Sequence, residues 1–223
     1  STRVRSSAAS DVYKRQVVAV SWGNTLNCLA GQIQPLKAKD IKVVQLNGGV
    51  AKSASSTGAS QIVDALTMAG HGIGYMFPVP AIVDSKHTSE ILQEETQVKN
   101  VLRLAKEAEV SIFSIGALSK DSILYEVEYL KDEDFQALEK NKAVGDIASR
   151  YFDINGNIAL KELDDRVVGF GLEELREKEW TIAIAVGVNK VDAIIGALRA
   201  GFMNVLYTDE KTAREILNRN LLG

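Results

Sequence analysis

Short apolar runs alternate along this chain with segments whose apolar residues recur at helical spacing, and this alternation constrains the fold more than any other feature. Val17–Ser21 is the first such run, closed by Gly23. Leu26, Leu29, Ala30 and Ile33 follow at i, i+3, i+4 and i+7, which is one face of a helix, with Asn24 or Thr25 as its expected N-cap. Ile41–Leu46 reads as the second strand and leads into Asn47-Gly48-Gly49 and the loop AKSASSTG. Ala59, Ile62, Val63, Leu66 and Ala69 form the next helical stripe. Ile73–Phe77 is a third strand, broken by Pro78-Val79-Pro80.

The second half repeats the pattern. Residues 88–109 are expected to form the longest helix, capped at Thr88, with Val98, Val101, Leu102, Ala105 and Ala108 along one side. Val110–Ile115 is a strand stopped by Gly116, and Lys131–Lys140 is expected to be a surface helix. Asp153–Asn157 predicts a hairpin turn, because Asn155-Gly156 supplies positive φ. Thr181–Val186, the stripe Val191/Ile194/Ile195/Leu198, then Asn204–Tyr207 and Ala213/Ile216/Leu217 complete a β-α-β-α tail. Strands separated by helices require a mostly parallel sheet with helices on both faces, a Rossmann-like α/β three-layer sandwich. Ligands of such sheets bind at the carboxyl ends of the strands, where strand order switches.

Composition narrows the classes. With 223 residues, 46% hydrophobic and 25% charged, the chain is an ordinary globular one and one domain is expected. No apolar stretch is long enough for a membrane helix. A single Cys, Cys28, and two His, His71 and His87, provide neither a disulfide framework nor a zinc ligand set, so no metal and no cofactor is expected. His71 reads as a helix-terminal residue, His87 as a surface one and Cys28 as half-buried. Residues 1–16 hold Arg3, Arg5, Lys14 and Arg15 against Asp11, a net of +3 in a chain of −3, which leaves −6 for residues 17–223. A body of that sign does not attract DNA or an anionic membrane. The first sixteen residues lack both periodicity and the apolar centre of a signal peptide, and they read as a leader foreign to the fold; Val17 then opens in mid-strand, so a native N-terminal part is expected to be missing.

Three loops share one design of apolar strand, Gly or small polar residues, and helix start: Ser21–Thr25, Asn47–Gly49 with Ser53 to Gly58, and Val186–Lys190. Gly admits close approach of backbone N–H groups, helix N-termini favour anions, and Thr25, Ser55, Ser56, Thr57 and Lys190 add donors. Together they suit a phosphate, although Gly and Asn also serve simply as turns and caps. No GxxxxGK[ST], no strand-to-helix GxGxxG and no GxSxG is present. Asp146, in the apolar string Ala143–Ile147, is either a hydrogen-bonded core carboxylate or an acceptor for sugar hydroxyls. Arg150 is either a phosphate partner or half of a structural ion pair, and no nucleophile stands beside a base.

Several strings together resemble one family: VAVSWGNT from Val18, VVQLNGG from Val43, Pro78-Val79-Pro80, AVGDIASRYFDINGN from Ala143, LDDRVVG from Leu163 and the final GALRAGFMNVLYTDEKTA. The chain is similar to the effector-binding domain of SorC/DeoR-type bacterial transcription regulators over residues 17–223. That resemblance implies a fold related to sugar-phosphate isomerases and CoA transferases. It implies a phosphorylated sugar as effector, a cytoplasmic homo-oligomer (dimer or tetramer), no catalysis, and contact with operator DNA only through an N-terminal helix-turn-helix domain that this sequence lacks. Residue by residue, it implies effector binding by Gly23, Asn24 and Thr25 at the phosphate, by Asn47 with Gly48 and Gly49, by Gly116, by Asp146 at hydroxyls and by Lys190 at the phosphate. Asn47 falls where one branch of the family has a Lys that forms a Schiff base with its sugar, and Asn cannot form one. Val186 falls where many members have a second Gly, which implies a narrower phosphate approach. The alternative on the same fold is a sugar-phosphate isomerase, for which Asp146 is the candidate base.

Overall fold

The computed structural model describes residues 16–50 and 59–220. Six parallel strands form the main sheet: β1 (Val17–Val20), β2 (Lys42–Gln45), β3 (Ile73–Tyr75), β4 (Val110–Ser114), β8 (Trp180–Ile184) and β9 (Val205–Tyr207), in the order β3-β2-β1-β4-β8-β9. Side chains alternate across each strand, and the sequence supplies apolar residues for both faces. Ala19, Val44 and Phe113 point to one face, where they meet Val98, Val101, Leu104 and Ala105 of helix α4 (Thr96–Glu107) and Ile194 and Ala197 of α8 (Val191–Arg199). Val20 and Val43 point to the other, against Leu26 of α1 (Asn24–Ala30) and Ile62, Val63 and Leu66 of α2 (Ala59–Ala69). The expected three-layer α/β sandwich is the observed one.

The chain builds outward from β1 through β2 to β3, then returns to place β4 on the other side of β1. Strand order therefore switches between β1 and β4, and a crevice opens there at the carboxyl ends. One residue past β4, the chain leaves the main sheet altogether. Gly116–Ala117 (β5) pairs antiparallel with β6 (Ala143–Ile147), and β6 pairs with β7 (Arg150–Asp153), a second sheet of three strands. This sheet is not expected from the sequence pattern, which treats Ala143–Ile147 as an apolar setting for one Asp. Helices α5 (Ile123–Glu126), α6 (Asp132–Lys140) and α7 (Lys161–Asp164) surround it and close a separate core around Leu124, Phe135, Leu138, Tyr151 and Leu163.

Four local expectations are corrected. The segment 88–109 is two helices, α3 (Lys86–Glu94) and α4, separated by Glu95 at φ −61° and ψ 136°. Ser89 is buried against the Val167 carbonyl, and nine residues on a straight helix would turn Val98 to the opposite face; the break lets both meet protein. The N-cap of α3 is Ser85, whose Oγ accepts from the Thr88 N–H at 3.1 Å, so Thr88 lies in the first turn. The cap of α1 is Gly23, with no side-chain bond, and Asn24 is already helical. Cys28 is exposed rather than half-buried. The turn at Asp153–Asn157 forms as expected, with Gly156 at φ 81° and the Asp153 N–H donated to the Asn157 carbonyl. The final helix, α9, spans Glu210–Asn220.

Candidate functional site

A cavity of about 310 Å³ occupies the crevice between the two sheets. The loops after β1, β4 and β8 form one side of it, and the hairpin joining β6 to β7 forms the other. Of the residues expected to bind an effector, Gly23, Asn24, Thr25, Asn47, Gly116, Asp146 and Lys190 line this cavity together.

Each is placed by local necessity. Gly23 turns the chain from β1 into α1 at φ 141° and ψ 166°, a conformation that side chains disfavour. Trp22 is held against the cavity wall by its indole N–H, which donates to the Gly48 carbonyl at 2.7 Å. Lys190 ends a 3₁₀ turn, Val188–Lys190, that follows Gly187 at φ 118°. That turn is pinned from outside the site: the Gly187 N–H donates to Asp209 Oδ2 and Thr212 Oγ1. Hydrogen bonds from Thr212 hold the Asp209 carboxyl down to about 2, so this anchor stays ionised at neutral pH. Val186 is 52% exposed and does not line the cavity, so the departure from Gly at that position does not narrow it.

The opposite wall depends on two close approaches. Gly116 pairs with Asp146 across β5 and β6, and a Cβ on Gly116 would lie 2.1 Å from Asp146 Oδ1. The β6–β7 hairpin turns through Ala148 at φ 51° and Ser149 at φ 70°, left-handed values at two non-glycine residues. The turn aims the Ser149 N–H at Asp146 Oδ2, 3.1 Å away, and its Oγ at Asn47, whose Nδ2 donates to it at 3.2 Å. Strain of this kind is retained where surrounding structure fixes it. Asn47 is 2% exposed, its carbonyl accepts from Gln45 Nε2, and its Oδ1 has no partner among the described residues.

Electrostatics divide the cavity. Burial pushes the Asp146 carboxyl up to about 6, against the opposing pull of the Ser149 N–H and Lys190. Burial holds the Lys190 ammonium below its ordinary value, partly offset by Asp146. The two charges act on each other without an ion pair among the described residues, so both remain available to a third party.

Gly48 and Gly49 are placed elsewhere. The Gly48 N–H donates to the Val168 carbonyl, and the Gly49 N–H to the Val79 carbonyl. A Cβ on Gly48 would lie 2.4 Å from the Pro80 carbonyl oxygen. Gly48 lets β2's loop pass flush against the Pro78–Pro80 strap, a Cβ on Gly49 would meet nothing, and neither residue lines the cavity. Ser55, Ser56 and Thr57 lie outside the described residues. Arg150 is structural: it donates to the Phe170, Gly169 and Asp164 carbonyls and pairs with Asp164 Oδ1 at 2.6 Å. His71 and His87 are exposed and distant from this lining. Sequence reasoning missed Ser149 and, apart from Gly116, the segment from Ser114 to Ser122, which contributes Ser119 and Asp121. Hydroxyls and a carboxylate directly after a buried strand were the available signal. Among the described residues no group of three His, Cys, Asp or Glu side chains could hold a metal, and no helix is long and apolar enough to cross a membrane.

Comparison with known proteins adds a family. Residues 8–218 match the family model Sugar-bind, described as "Putative sugar-binding domain". The chain is 34% identical to the deoxyribonucleoside regulator of Bacillus subtilis over 202 residues, which cover 91% of this chain and 64% of that protein. It is 31% identical to the transcriptional regulator LsrR of Escherichia coli over 210 residues, 91% of this chain and 63% of that one. The fold superposes on a DeoR family transcriptional regulator from Listeria monocytogenes with a TM-score of 0.82 at 26% identity, covering 96% of this chain and 84% of that chain. The chain thus spans a little under two thirds of the length of these two curated relatives.

Proposed function

The chain belongs to the sugar-binding domain family carried by transcriptional regulators, and from that premise we propose that it senses a phosphorylated sugar and thereby sets the DNA affinity of a longer regulator. One observation carries the reading: the cavity at the strand-order switch has a cation, Lys190, with Thr25 nearby on its lining, and a hydroxyl-reading wall of Asp146 and Asn47. Lys190 and the Gly23–Thr25 turn take the phosphate. Asp146 accepts from sugar hydroxyls, and the left-handed turn at Ala148–Ser149 fixes its geometry. Because loops of both sheets line the cavity, a ligand joins them, and it shifts a conformational or assembly equilibrium only through its different affinity for the two states.

Operator contact is assigned to a part of the regulator outside this chain, since residues 17–223 carry a net charge of −6. Sensing a phosphorylated metabolite places the protein in the cytoplasm. Self-association is supported by exposed apolar residues at the β9 edge, where the side chains of Tyr207 (61% exposed) and Val186 are exposed and the Tyr207 carbonyl accepts from the Ala185 N–H.

Catalysis is the second reading, favoured by one fact: a carboxyl near 6 in a sugar-sized cavity is poised as a general base. The regulator names of the relatives favour sensing. A thermal-shift screen against phosphorylated sugars and their unphosphorylated parents, with product analysis, separates the two. A specific ligand at 100 times its dissociation constant adds about 2.7 kcal/mol of stability. Sensing predicts a shift from a phosphorylated sugar, no shift from its parent, no product, and a shift largely abolished by Lys190→Ala. Product formation would establish the isomerase, and the absence of any shift would remove the sugar-phosphate assignment.

A further inference from the structure

We infer that the cavity selects a monosaccharide with one phosphate and a free polyhydroxyl end, and rejects the corresponding bisphosphate. The inference rests on the sugar-phosphate reading above and deepens it. Among the described lining residues Lys190 is the one cation, while Asp121 and Asp146 are carboxylates. A phosphate carries about −1.5 to −2 at neutral pH and presents oxygens that accept hydrogen bonds. One such group is matched by Lys190. A second phosphate on the same sugar would meet the lining carboxylates with no further cation among the described lining residues.

Asn47 sharpens the point. It is 2% exposed, its Nδ2 donates one bond to Ser149 Oγ, and its Oδ1 is a buried acceptor without a partner among the described residues. Buried acceptors are nearly always satisfied in folded proteins. A hydroxyl satisfies Oδ1 by donating to it, whereas an ionised phosphate oxygen has no proton to donate. Asp146 Oδ2 takes the Ser149 N–H, which leaves the rest of that carboxylate also seeking donors. The free acceptors of this wall, Asn47 Oδ1 and the rest of the Asp146 carboxylate, are therefore matched by hydroxyls. The volume of about 310 Å³ lies at the small end for ligand pockets and has room for one sugar phosphate.

The test is a calorimetric titration of this chain with matched pairs: fructose 6-phosphate against fructose 1,6-bisphosphate, glucose 6-phosphate against glucose 1,6-bisphosphate, and ribulose 5-phosphate against ribulose 1,5-bisphosphate. The expected result is that, in the pairs that bind, the monophosphate binds at least tenfold more tightly. Asn47→Leu should weaken the best monophosphate about tenfold while leaving the weak binding of inorganic phosphate unchanged. A bisphosphate that binds as tightly as its monophosphate, or more tightly, overturns the inference and leaves the sugar-phosphate reading standing. If no member of any pair binds, that reading falls and the inference falls with it.

Discussion

The six-stranded sheet is held by apolar residues such as Ala19, Val44 and Phe113, fully buried between helices on both faces. The three-stranded sheet has a smaller apolar core and is fastened instead by guanidinium groups: Arg150 to three carbonyls and Asp164, and Arg166 through a bidentate pair to Asp134 and a bond to the Val83 carbonyl. Apolar packing is non-directional and collective, so the large sheet fixes where its loops end. Hydrogen-bonded charges are directional and fail singly, so the small sheet fixes how its side chains point. The cavity uses both: loops of the large sheet bring Gly23–Thr25, Asn47 and Lys190 to its lining, and the small sheet's hairpin brings Asp146 and Ser149.

Removing one guanidinium should break this contrast most severely. Arg150→Ala leaves the half-buried Asp164 carboxylate with Lys161 alone and the buried Phe170 and Gly169 carbonyls without the guanidinium, with an expected loss of about 3–5 kcal/mol in urea denaturation. A loss below 1 kcal/mol would show that the small sheet is held by its apolar core after all.

Gly116→Ala strikes the seam itself. The new Cβ would sit 2.1 Å from Asp146 Oδ1, so the carboxylate must move. The expected cost is about 1–3 kcal/mol in stability, accompanied by loss of measurable sugar-phosphate binding. Retained affinity would place Asp146 outside the ligand's reach.

A pH titration sharpens the contrast further. The Asp146 carboxyl rises from 3.8 in its ordinary state to about 6 in the fold, so the stability associated with its proton is present below pH 4 and lost as pH rises through 6. Relative to Asp146→Asn, the native chain should therefore lose roughly 1–3 kcal/mol between pH 4 and pH 7.5. Parallel melting curves for the two proteins across that range would show that Lys190 and Ser149 fully offset burial. The smallest expected effect is Thr25→Val, about 1–2 kcal/mol in ligand affinity with unchanged folding; unchanged affinity would move the phosphate away from the β1 loop.

The same contrast governs what was legible in the sequence. Val18–Val20, Val43–Val44 and Ile182–Ala185 announce parallel strands because both faces are apolar, and their loops point to Gly23–Thr25 and Lys190. The small sheet hides. β5 is two residues long, β6 contains Gly145 and Asp146, and the turn between β6 and β7 lacks the Asn or Gly that marks such hairpins. Asp146 stood out only as a carboxylate among apolar neighbours. Gly48 and Gly49 have the same appearance in the sequence as Gly23, because the sequence cannot display the Pro80 carbonyl that crowds Gly48 or the Val79 carbonyl that takes the Gly49 N–H. The break at Glu95 was hidden for a similar reason, since it depends on Val167, far away in the chain.

A sugar phosphate bound between the two sheets would be reported by the chain's two tryptophans. Trp22 lines the cavity with its indole bonded to Gly48, whereas Trp180 opens β8 at the amino end of the main sheet, away from the site. In a ¹⁵N-indole NMR titration with a sugar monophosphate that binds, the Trp22 signal should shift saturably and the Trp180 signal should stay in place. Saturable binding that moves Trp180 and leaves Trp22 untouched would contradict the account.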